Sequence, residues 1–302
     1  MKIPAYLQKG DTIGITCPAG YMAAEKAQTC IDTLQKWGYE VMVGKTLGSA
    51  SQTYFSGTDE ERLDELQAML DDKSIKAILF GRGGYGTGRI LDQLDFKEFK
   101  KHPKWLIGFS DITILHCHLF SRFNIASMHA PMAAAFNDGG AGNEFVLSLK
   151  KAIAGKKASY TAAPHAFNKT GKASGKLVGG NLSLLANSIG TPSEPDTRNC
   201  IVFLEDIGEY IYSTDRMLRQ LLRAGKLQKA AAIIFGGFTD MKDTERPFGK
   251  TIDEVLADAV KDIDVPVCFH FPVSHNKENY ALKVGMKYEL NVGKKIVRLK
   301  EL

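Results

Sequence analysis

Short apolar runs alternate with segments of helical periodicity in the first third of the chain, and this alternation constrains the fold most strongly. The runs at 12–16, 77–80 and 105–109 hold mostly apolar and small residues, as buried strands of parallel sheets do. Helical spacing of apolar residues follows the first run and starts again after Thr58, which has capping-box spacing to Glu61. Strands that alternate with helices predict a parallel sheet, whose ligands bind beyond the carboxyl ends of its strands.

A polar stretch divides this half from a second strand and helix pattern. Residues 156–176 are rich in Lys, Ser, Thr and Ala and contain few large apolar residues, which is typical of a linker. Beyond it, further apolar runs and helical patterns lead to a predicted β-hairpin at 290–299. We therefore predict an α/β protein with an N-terminal parallel-sheet domain with crossover helices over 1–155, a linker over 156–176, and a smaller mixed α/β C-terminal domain over 177–302.

Composition narrows the class of protein and its compartment. The chain has 302 residues, enough for two cores, and its net charge of +5 is spread along the sequence without a basic run. Its five cysteines are scattered and form no Cys-x-x-Cys pair, which favours a reduced, cytoplasmic protein. No signal-peptide apolar region and no membrane-length run is present. We expect no nucleic-acid and no membrane partner, and the sequence leaves a homodimer open.

The apolar run at 105–109 ends at Ser110, and a helical pattern begins just after Asp111. A strand-to-helix turn lifts a side chain out of the sheet and leaves N–H groups at the helix start without partners. Ser110 is therefore either a simple helix cap or a nucleophile beside donors for an oxyanion. Only half of the Gly-x-Ser-x-Gly elbow is present, because Ile112 stands where the second glycine belongs.

A glycine-rich loop follows the run at 77–80. Gly81-x-Gly83-x-x-Gly86 matches the dinucleotide-binding fingerprint, so a nicotinamide-binding oxidoreductase is an alternative function. Against it, strands precede the loop, the helix that follows looks short, and only Asp111 approaches the ribose-binding position. The same glycines are equally suited to a nest of N–H groups that binds an oxyanion or a carboxylate.

A carboxylate and a histidine also stand where apolar strands give way to loops. Glu205 follows an apolar run, a place where an isolated acid is usually a loop or cap residue. His275 lies in a polar turn, where imidazoles are available for proton transfer. With Ser110 they have the chain order of the α/β-hydrolase triad, although a triad is defined by geometry rather than by order.

The other histidines have less specific surroundings. His270, between phenylalanines, is predicted to be a buried core residue. His116 and His118 are two residues apart on a helix and face different ways, so we interpret them as structural rather than as metal ligands. The sequence leaves the role of His129 undecided.

Several short motifs occur in order along nearly the whole chain. They are Gly10-Asp11-Thr12-Ile13-Gly14, Cys17-Pro18-Ala19-Gly20, Gly81-Arg82-Gly83-Gly84-Tyr85-Gly86, Gly108-Phe109-Ser110-Asp111-Ile112-Thr113, Gly179-Gly180-Asn181-Leu182, Phe203-Leu204-Glu205-Asp206-Ile207, Asp215-Arg216-Met217-Leu218 and Pro272-Val273-Ser274-His275. In these motifs the chain resembles the LD-carboxypeptidase family of serine peptidases, whose best-known activity is murein tetrapeptide carboxypeptidase. The resemblance implies release of the terminal D-alanine from murein tetrapeptide in cell-wall recycling, without a metal or cofactor.

The resemblance also implies roles for particular residues. Ser110 would be the nucleophile, His275 the general base and Glu205 the group that orients the imidazole. The oxyanion hole would consist of backbone N–H groups, those of Asp111 and of Gly83 or Gly84.

Two further residues are candidates for contacts with the murein peptide, Arg82 for its free carboxylate and Asn181 for another group. Two positions depart from the family pattern: Ser274 replaces a glycine, and Lys283 replaces a common proline. Within the same fold, the chain also resembles microcin-immunity peptidases, which detoxify a peptide-nucleotide antibiotic.

Overall fold

The computed structural model describes residues 1–302, which form 13 strands and nine α-helices. The strands are β1 Thr12–Thr16, β2 Glu40–Val43, β3 Ile75–Phe80, β4 Trp105–Gly108, β5 Ser127–His129, β6 Ser159–Ala162, β7 Gly171–Asn181, β8 Cys200–Ile207, β9 Ala232–Thr239, β10 Val267–Cys268, β11 Leu282–Val284, β12 Lys287–Val292 and β13 Val297–Glu301. The helices are α1 Gln28–Lys36, α2 Asp59–Asp71, α3 Thr87–Ile90, α4 Lys97–Lys101, α5 Thr113–His118, α6 Glu144–Ile153, α7 Leu182–Ser188, α8 Ile211–Arg223 and α9 Ile252–Val260. None of these helices is both long enough and apolar enough to cross a bilayer.

The first sheet has six strands in the order β11-β5-β4-β3-β1-β2. Strands β1 to β5 are parallel, and β11 runs antiparallel to β5. Successive residues of β3 face opposite apolar clusters: Ala77 and Leu79 belong to one, Ile78 and Phe80 to the other. Burial on both faces explains why the strand reads as a continuous apolar run, and it confirms the predicted parallel sheet.

The second sheet has seven strands in the order β10-β9-β8-β7-β12-β13-β6. Strands β7 to β10 are parallel, whereas β12, β13 and β6 add an antiparallel half that contains the predicted C-terminal hairpin. The predicted mixed α/β architecture is therefore confirmed. The carboxyl ends of β4 and β8 carry Ser110 and Glu205 toward one another.

The predicted linker over 156–176 is corrected by two strands within it. Residues 159–162 form β6, the edge of the second sheet, and β7 begins at Gly171. Strand β6 alternates exposed Ser159 and Thr161 with half-buried Tyr160 and Ala162, as an edge strand with one solvated face does. Because this alternation leaves few large apolar residues, the segment resembles a linker in composition.

Strand β11 joins the two halves of the molecule. Its backbone pairs with β5 of the first sheet, while Leu282 and Val284 pack in an apolar cluster with the second sheet. The predicted C-terminal domain thus contributes a strand to the first sheet, and the domain boundaries at 155 and 177 stay a prediction.

Lys283, at the centre of β11, forms a buried ion pair. Its Nζ lies 3.1 Å from both carboxylate oxygens of Glu301 and donates to the carbonyl oxygen of Lys156 at 3.0 Å. The two charged side chains are 1% and 2% exposed. A buried pair of this kind contributes little net stability when intact, but losing one partner leaves an uncompensated buried charge.

We expect Lys283→Met to lower the free energy of unfolding by about 3–5 kcal/mol, because the Glu301 carboxylate would remain buried without its cation. Urea denaturation measures the change. The double variant Lys283→Met/Glu301→Gln removes both charges. The glutamine keeps a side-chain oxygen that can accept the hydrogen bond that the N–H of Ala158 donates to Glu301 in the parent protein. It should recover most of the loss; equal destabilisation of both variants would contradict this explanation.

Candidate active site

Ser110 occupies the predicted strand-to-helix turn. It follows the extended residue Phe109 at the end of β4, has φ of +62°, and begins a short 3₁₀ turn that leads into α5. The left-handed conformation is strained for an L-residue and occurs where surrounding structure imposes it, often at active sites. The N-cap of this turn is Phe109, and the Ser110 hydroxyl bonds to His275 instead, so the helix-cap interpretation does not apply.

The structure brings Ser110, His275 and Glu205 together in one hydrogen-bonded chain. The Ser110 hydroxyl lies 2.8 Å from Nε2 of His275, and Nδ1 of His275 lies 2.5 Å from Oε2 of Glu205. Glu205 is fully buried on β8, and the His275 side chain is only 11% exposed. The ring of Phe109 packs edge-on against the imidazole, 4.9 Å between centroids. This is the geometry of a nucleophile, a base and an orienting carboxylate.

Two glycines of β9 allow the segment that carries His275 to pack closely against this strand. A Cβ on Gly236 would stand 2.1 Å from the carbonyl oxygen of Val273, and one on Gly237 would stand 2.4 Å from Cβ of Ser274. The N–H of Gly237 donates to that same carbonyl of Val273 at 3.0 Å. These glycines were not among the predicted site residues, although a glycine pair after an apolar run is a signal that the sequence carries.

Ser274, where the family pattern has glycine, has a defined place beside these glycines. Its side chain is buried; the hydroxyl contacts the side-chain oxygen of Asn276, donates to the carbonyl of Glu278 at 3.1 Å and accepts from the N–H of Asn276 at 3.1 Å. The serine thus closes the turn around His275, and the absence of a side chain at Gly237 makes room for it.

Two carboxylates set the protonation of His275. Burial alone lowers the pKa of the imidazole, but the hydrogen-bonded Glu205 and the charge of Asp206 raise it, and the pKa lies above its ordinary value of 6.5. Burial also raises the pKa of Asp206 to about 6, against the lowering effect of hydrogen bonds from the Ile207 N–H and the Asn181 side chain. Glu205 has one oxygen without a hydrogen-bond partner, because only Oε2 faces the imidazole.

The backbone of Gly83, in the glycine-rich loop, lies beside the Ser110 hydroxyl. A Cβ on Gly83 would stand 2.8 Å from Cβ and 3.0 Å from Oγ of Ser110, and 3.4 Å from the backbone nitrogen of Asp111. The N–H groups of Gly83 and Gly84 donate no hydrogen bond within the chain. Gly83, predicted for the oxyanion hole, thus lies next to both Ser110 and Asp111, and Gly84 follows it directly in the chain.

The carboxylate of Asp111 fixes the far end of this loop. It accepts a hydrogen bond of 2.8 Å from the N–H of Thr87 and is buried, which raises its pKa. Asp111 is therefore occupied within the protein rather than free for a ribose, and the helix after the loop, α3, has only four residues. The glycines serve close approach to Ser110, which leaves the nicotinamide alternative without support.

The two candidate substrate contacts have different surroundings. Arg82 is exposed and borders the cavity beside His275, and its Nη1 donates to the carbonyl of Tyr21 at 3.0 Å. Asn181 is buried: its Nδ2 donates to Asp206 at 2.8 Å and its Oδ1 accepts from the N–H of Leu184, which makes it the N-cap of α7. The Asn181 side chain thus bonds within the protein at both its oxygen and its nitrogen, and its contact with substrate stays a prediction.

A cavity of about 380 Å³ opens beside His275. Phe109, Met132 and Phe145 give it apolar walls, and an ion pair of 3.0 Å between Lys277 and Asp138 lies at its edge. A larger cleft of about 1180 Å³ lies along β2 and α2, but no member of the Ser110, His275 and Glu205 chain lines it. We therefore assign the candidate substrate site to the smaller cavity.

The remaining histidines lie outside this chain of hydrogen bonds. His116 and His129 are buried, and burial lowers their pKa values to about 4 and about 3, so both stay neutral core residues. His118 is also buried and bonds to Ser193 at 2.9 Å. His270, predicted to be buried, is instead exposed and pairs with Asp253 at 2.9 Å, because its φ of +53° turns the side chain away from its phenylalanine neighbours.

Comparison with known proteins identifies the family. Residues 13–130 match the LD-carboxypeptidase N-terminal domain and residues 174–290 match the LD-carboxypeptidase C-terminal domain. A probable murein peptide carboxypeptidase of Bacillus subtilis is 37% identical over 297 residues, which cover 97% of this chain and 92% of the relative. The microcin C7 self-immunity protein of Escherichia coli is 26% identical over 99% of this chain and 96% of its own.

A solved structure agrees with the sequence matches. The crystal structure of muramoyltetrapeptide carboxypeptidase from Oxalobacter formigenes superposes with a TM-score of 0.86 at 30% identity, and the match covers 96% of this chain and 98% of that one. The chain therefore belongs to the LD-carboxypeptidase family and is a serine-type carboxypeptidase.

Proposed function

We propose that this protein releases the terminal D-alanine from murein tetrapeptide, as a cytoplasmic step of cell-wall recycling. The observation that supports this most is the hydrogen-bonded chain of Ser110, His275 and Glu205 beside the cavity. The similarity to a murein peptide carboxypeptidase and to a muramoyltetrapeptide carboxypeptidase supports the substrate class. The bond cleaved joins the L-configured centre of meso-diaminopimelate to D-alanine.

In the proposed reaction, Ser110 attacks the carbonyl carbon of that bond. His275 takes the hydroxyl proton at Nε2, and Glu205 stabilises the imidazolium that forms. The same proton passes to the nitrogen of the departing D-alanine, which leaves an acyl ester on Ser110. Water, deprotonated by His275, then hydrolyses the ester and regenerates the serine.

We assign the stabilisation of the oxyanion to the N–H groups of Asp111 and of Gly83 or Gly84. Donors fixed in the backbone need no reorganisation when charge develops, so they contribute strongly to the rate. The free N–H groups of Gly83 and Gly84 support this assignment. For the substrate's terminal carboxylate, the exposed guanidinium of Arg82 at the cavity edge is the candidate, since Arg binds carboxylates with two parallel hydrogen bonds.

We expect Gly83→Ala to lower kcat by about 10²- to 10³-fold, comparable to the loss of one oxyanion donor, because the added Cβ would force the loop and its N–H groups away from Ser110. The new methyl group would stand 3.0 Å from Oγ of Ser110, in the space that the oxyanion needs. Steady-state assays on murein tetrapeptide measure the effect. Gly142→Ala is the matched control, because no atom lies within 4 Å of the added Cβ; equal rates for the two variants would contradict the assignment.

The pH dependence follows from the raised pKa of His275. The imidazole accepts the serine proton only when neutral, so kcat/KM should fall as the pH drops through this pKa. Because Glu205 and Asp206 raise the pKa, the midpoint of the acid limb should lie above 6.5. The pH dependence of kcat/KM measures this midpoint. A midpoint below 6.5 would contradict the raising of the His275 pKa by Glu205 and Asp206.

Mass spectrometry of murein tetrapeptide after incubation with the protein tests the substrate. We expect the parent protein to remove the terminal D-alanine alone. The Ser110→Ala variant should form no detectable tripeptide product. Loss of any other residue would overturn the substrate assignment.

A second candidate is hydrolysis of a peptide-nucleotide antibiotic, which the similarity to the microcin C7 self-immunity protein supports. The assay presents murein tetrapeptide and an aminoacyl-sulfamoyl nucleoside to the same preparation. A kcat/KM higher for the tetrapeptide supports the first proposal, and a higher value for the nucleoside supports the second.

A further inference from the structure

Three possible metal ligands converge on the surface outside the candidate active site. His165 comes from the loop between β6 and β7, Asp253 from the first turn of α9, and His270 from the segment after β10. One ligand atom from each residue lies within 4.8 Å of the other two. Oδ2 of Asp253 stands between the imidazoles, 2.9 Å from Nε2 of His270 and 3.7 Å from Nε2 of His165.

These distances are close to those of a tetrahedral metal site. Zinc binds imidazole nitrogen and carboxylate oxygen at about 2.0–2.1 Å, which places neighbouring ligand atoms roughly 3.3 Å apart in a tetrahedron. The two nitrogen to oxygen distances of 2.9 and 3.7 Å lie on either side of that value. The third pair, the two imidazole nitrogens, lies within 4.8 Å, so the side chains must draw together to complete the tetrahedral geometry.

The three residues are held in place by features that do not depend on one another. The backbone of His270 has φ of +53°, which directs its side chain outward between the buried Phe269 and Phe271. The imidazole of His165 stacks on the ring of Phe269, 5.6 Å between centroids and 22° between planes. Asp253 lies within a helix start fixed by a capping box. Its position is therefore set before any ion arrives.

The hydrogen bonds that a metal would replace are few. Nε2 of His270 bonds only to the two carboxylate oxygens of Asp253, at 2.9 and 3.1 Å, and these oxygens contact no other groups than the two imidazoles. No Lys or Arg is paired with Asp253, so its negative charge is available to a cation. The side chains of His165 and Asp253 are 28% and 26% exposed, which leaves a path from solvent.

We propose that His165, Asp253 and His270 form a binding site for a divalent transition-metal ion of the zinc class. Two nitrogens and one carboxylate oxygen, with water in a fourth position, suit Zn²⁺, Ni²⁺ and Cu²⁺ and do not suit Mg²⁺ or Ca²⁺, which prefer oxygen ligands. The ion takes no part in the proposed hydrolysis. It ties α9 to the segment that runs on from His270 to His275.

Isothermal titration of the full-length protein with Zn²⁺ tests the site. We expect the parent protein to bind one equivalent that the double variant His165→Ala/His270→Ala does not bind, and each single variant to weaken binding by roughly tenfold or more. Affinity should fall at low pH, because protons compete for the imidazole nitrogens. His102→Ala, which removes an exposed histidine elsewhere, is the matched control and should bind as the parent does.

A second measurement separates this site from effects on folding. Asp253→Asn keeps the shape of the side chain but removes the charge, so it should weaken Zn²⁺ binding while the unliganded melting temperature changes little. Added Zn²⁺ should raise the melting temperature of the parent and not that of the double variant. Equal Zn²⁺ stoichiometry and equal thermal shifts in the parent and the double variant would overturn the proposal.

Discussion

Replacement of Ser110 by alanine is expected to lower kcat on murein tetrapeptide by about 10⁴- to 10⁶-fold, the range seen when a triad nucleophile is removed. The reason is that the hydroxyl 2.8 Å from Nε2 of His275 is the only one in the proposed chain that can form the acyl ester. Steady-state kinetics with mass detection of D-alanine measure the loss. KM should change much less, because the cavity walls and Arg82 remain.

The fold should survive this change. Alanine at position 110 keeps the same Cβ, so the left-handed backbone at φ +62° has the same strain, and the hydroxyl is not needed as a helix cap. Circular dichroism and the melting temperature check this. Ser174→Ala, which removes an exposed hydroxyl from β7, is the control and should keep parental activity. Turnover by Ser110→Ala within tenfold of the parent would refute the role of this serine.

Glu205→Gln is expected to lower kcat by about 10⁴-fold, as the matching amide substitution does in other serine triads. The carboxylate accepts from Nδ1 of His275 at 2.5 Å and holds the tautomer whose Nε2 can take a proton. An amide can instead donate to Nδ1, which favours the wrong tautomer, and it carries no charge to stabilise the imidazolium.

The pKa of His275, measured by NMR, distinguishes this electrostatic effect of Glu205→Gln on kcat from a loss of packing. Burial lowers the pKa of His275 and the carboxylate of Glu205 opposes it, so Glu205→Gln should lower the imidazole pKa, measured by NMR titration. Glu278→Gln, an exposed acid three residues from His275, is the control and should leave both pKa and rate nearly unchanged. An unchanged imidazole pKa in Glu205→Gln would contradict the electrostatic role.

The sequence predicted the parts of the fold that are buried on both sides. The continuous apolar runs at β3 and β4 identified the parallel sheet, because both faces of those strands pack against apolar clusters. Strands with one solvent-exposed face or a partner in the other sheet were not predicted. Strand β6 alternates exposed and half-buried residues, and β11 pairs with β5 of the first sheet. Their pairing depends on tertiary contacts that no local pattern carries.

For the candidate site, the sequence predicted the positions of the three residues in their strands and loops but not that they meet. Each of Ser110, Glu205 and His275 stood at the end of an apolar run, but 165 residues separate the serine from the histidine, and spacing alone does not bring them together. The ordered motifs of the family supplied that step. Local pattern failed at His270, whose positive φ reverses its side chain. It also gave no sign that the Asn181 amide caps α7.

Labelling with a fluorophosphonate, followed by peptide mapping, tests most directly whether these three residues act together. We predict one covalent adduct, on Ser110, which forms in parallel with the loss of tetrapeptide cleavage and which His275→Ala suppresses. An adduct on another residue, or undiminished cleavage by protein fully labelled at Ser110, would contradict the proposed mechanism.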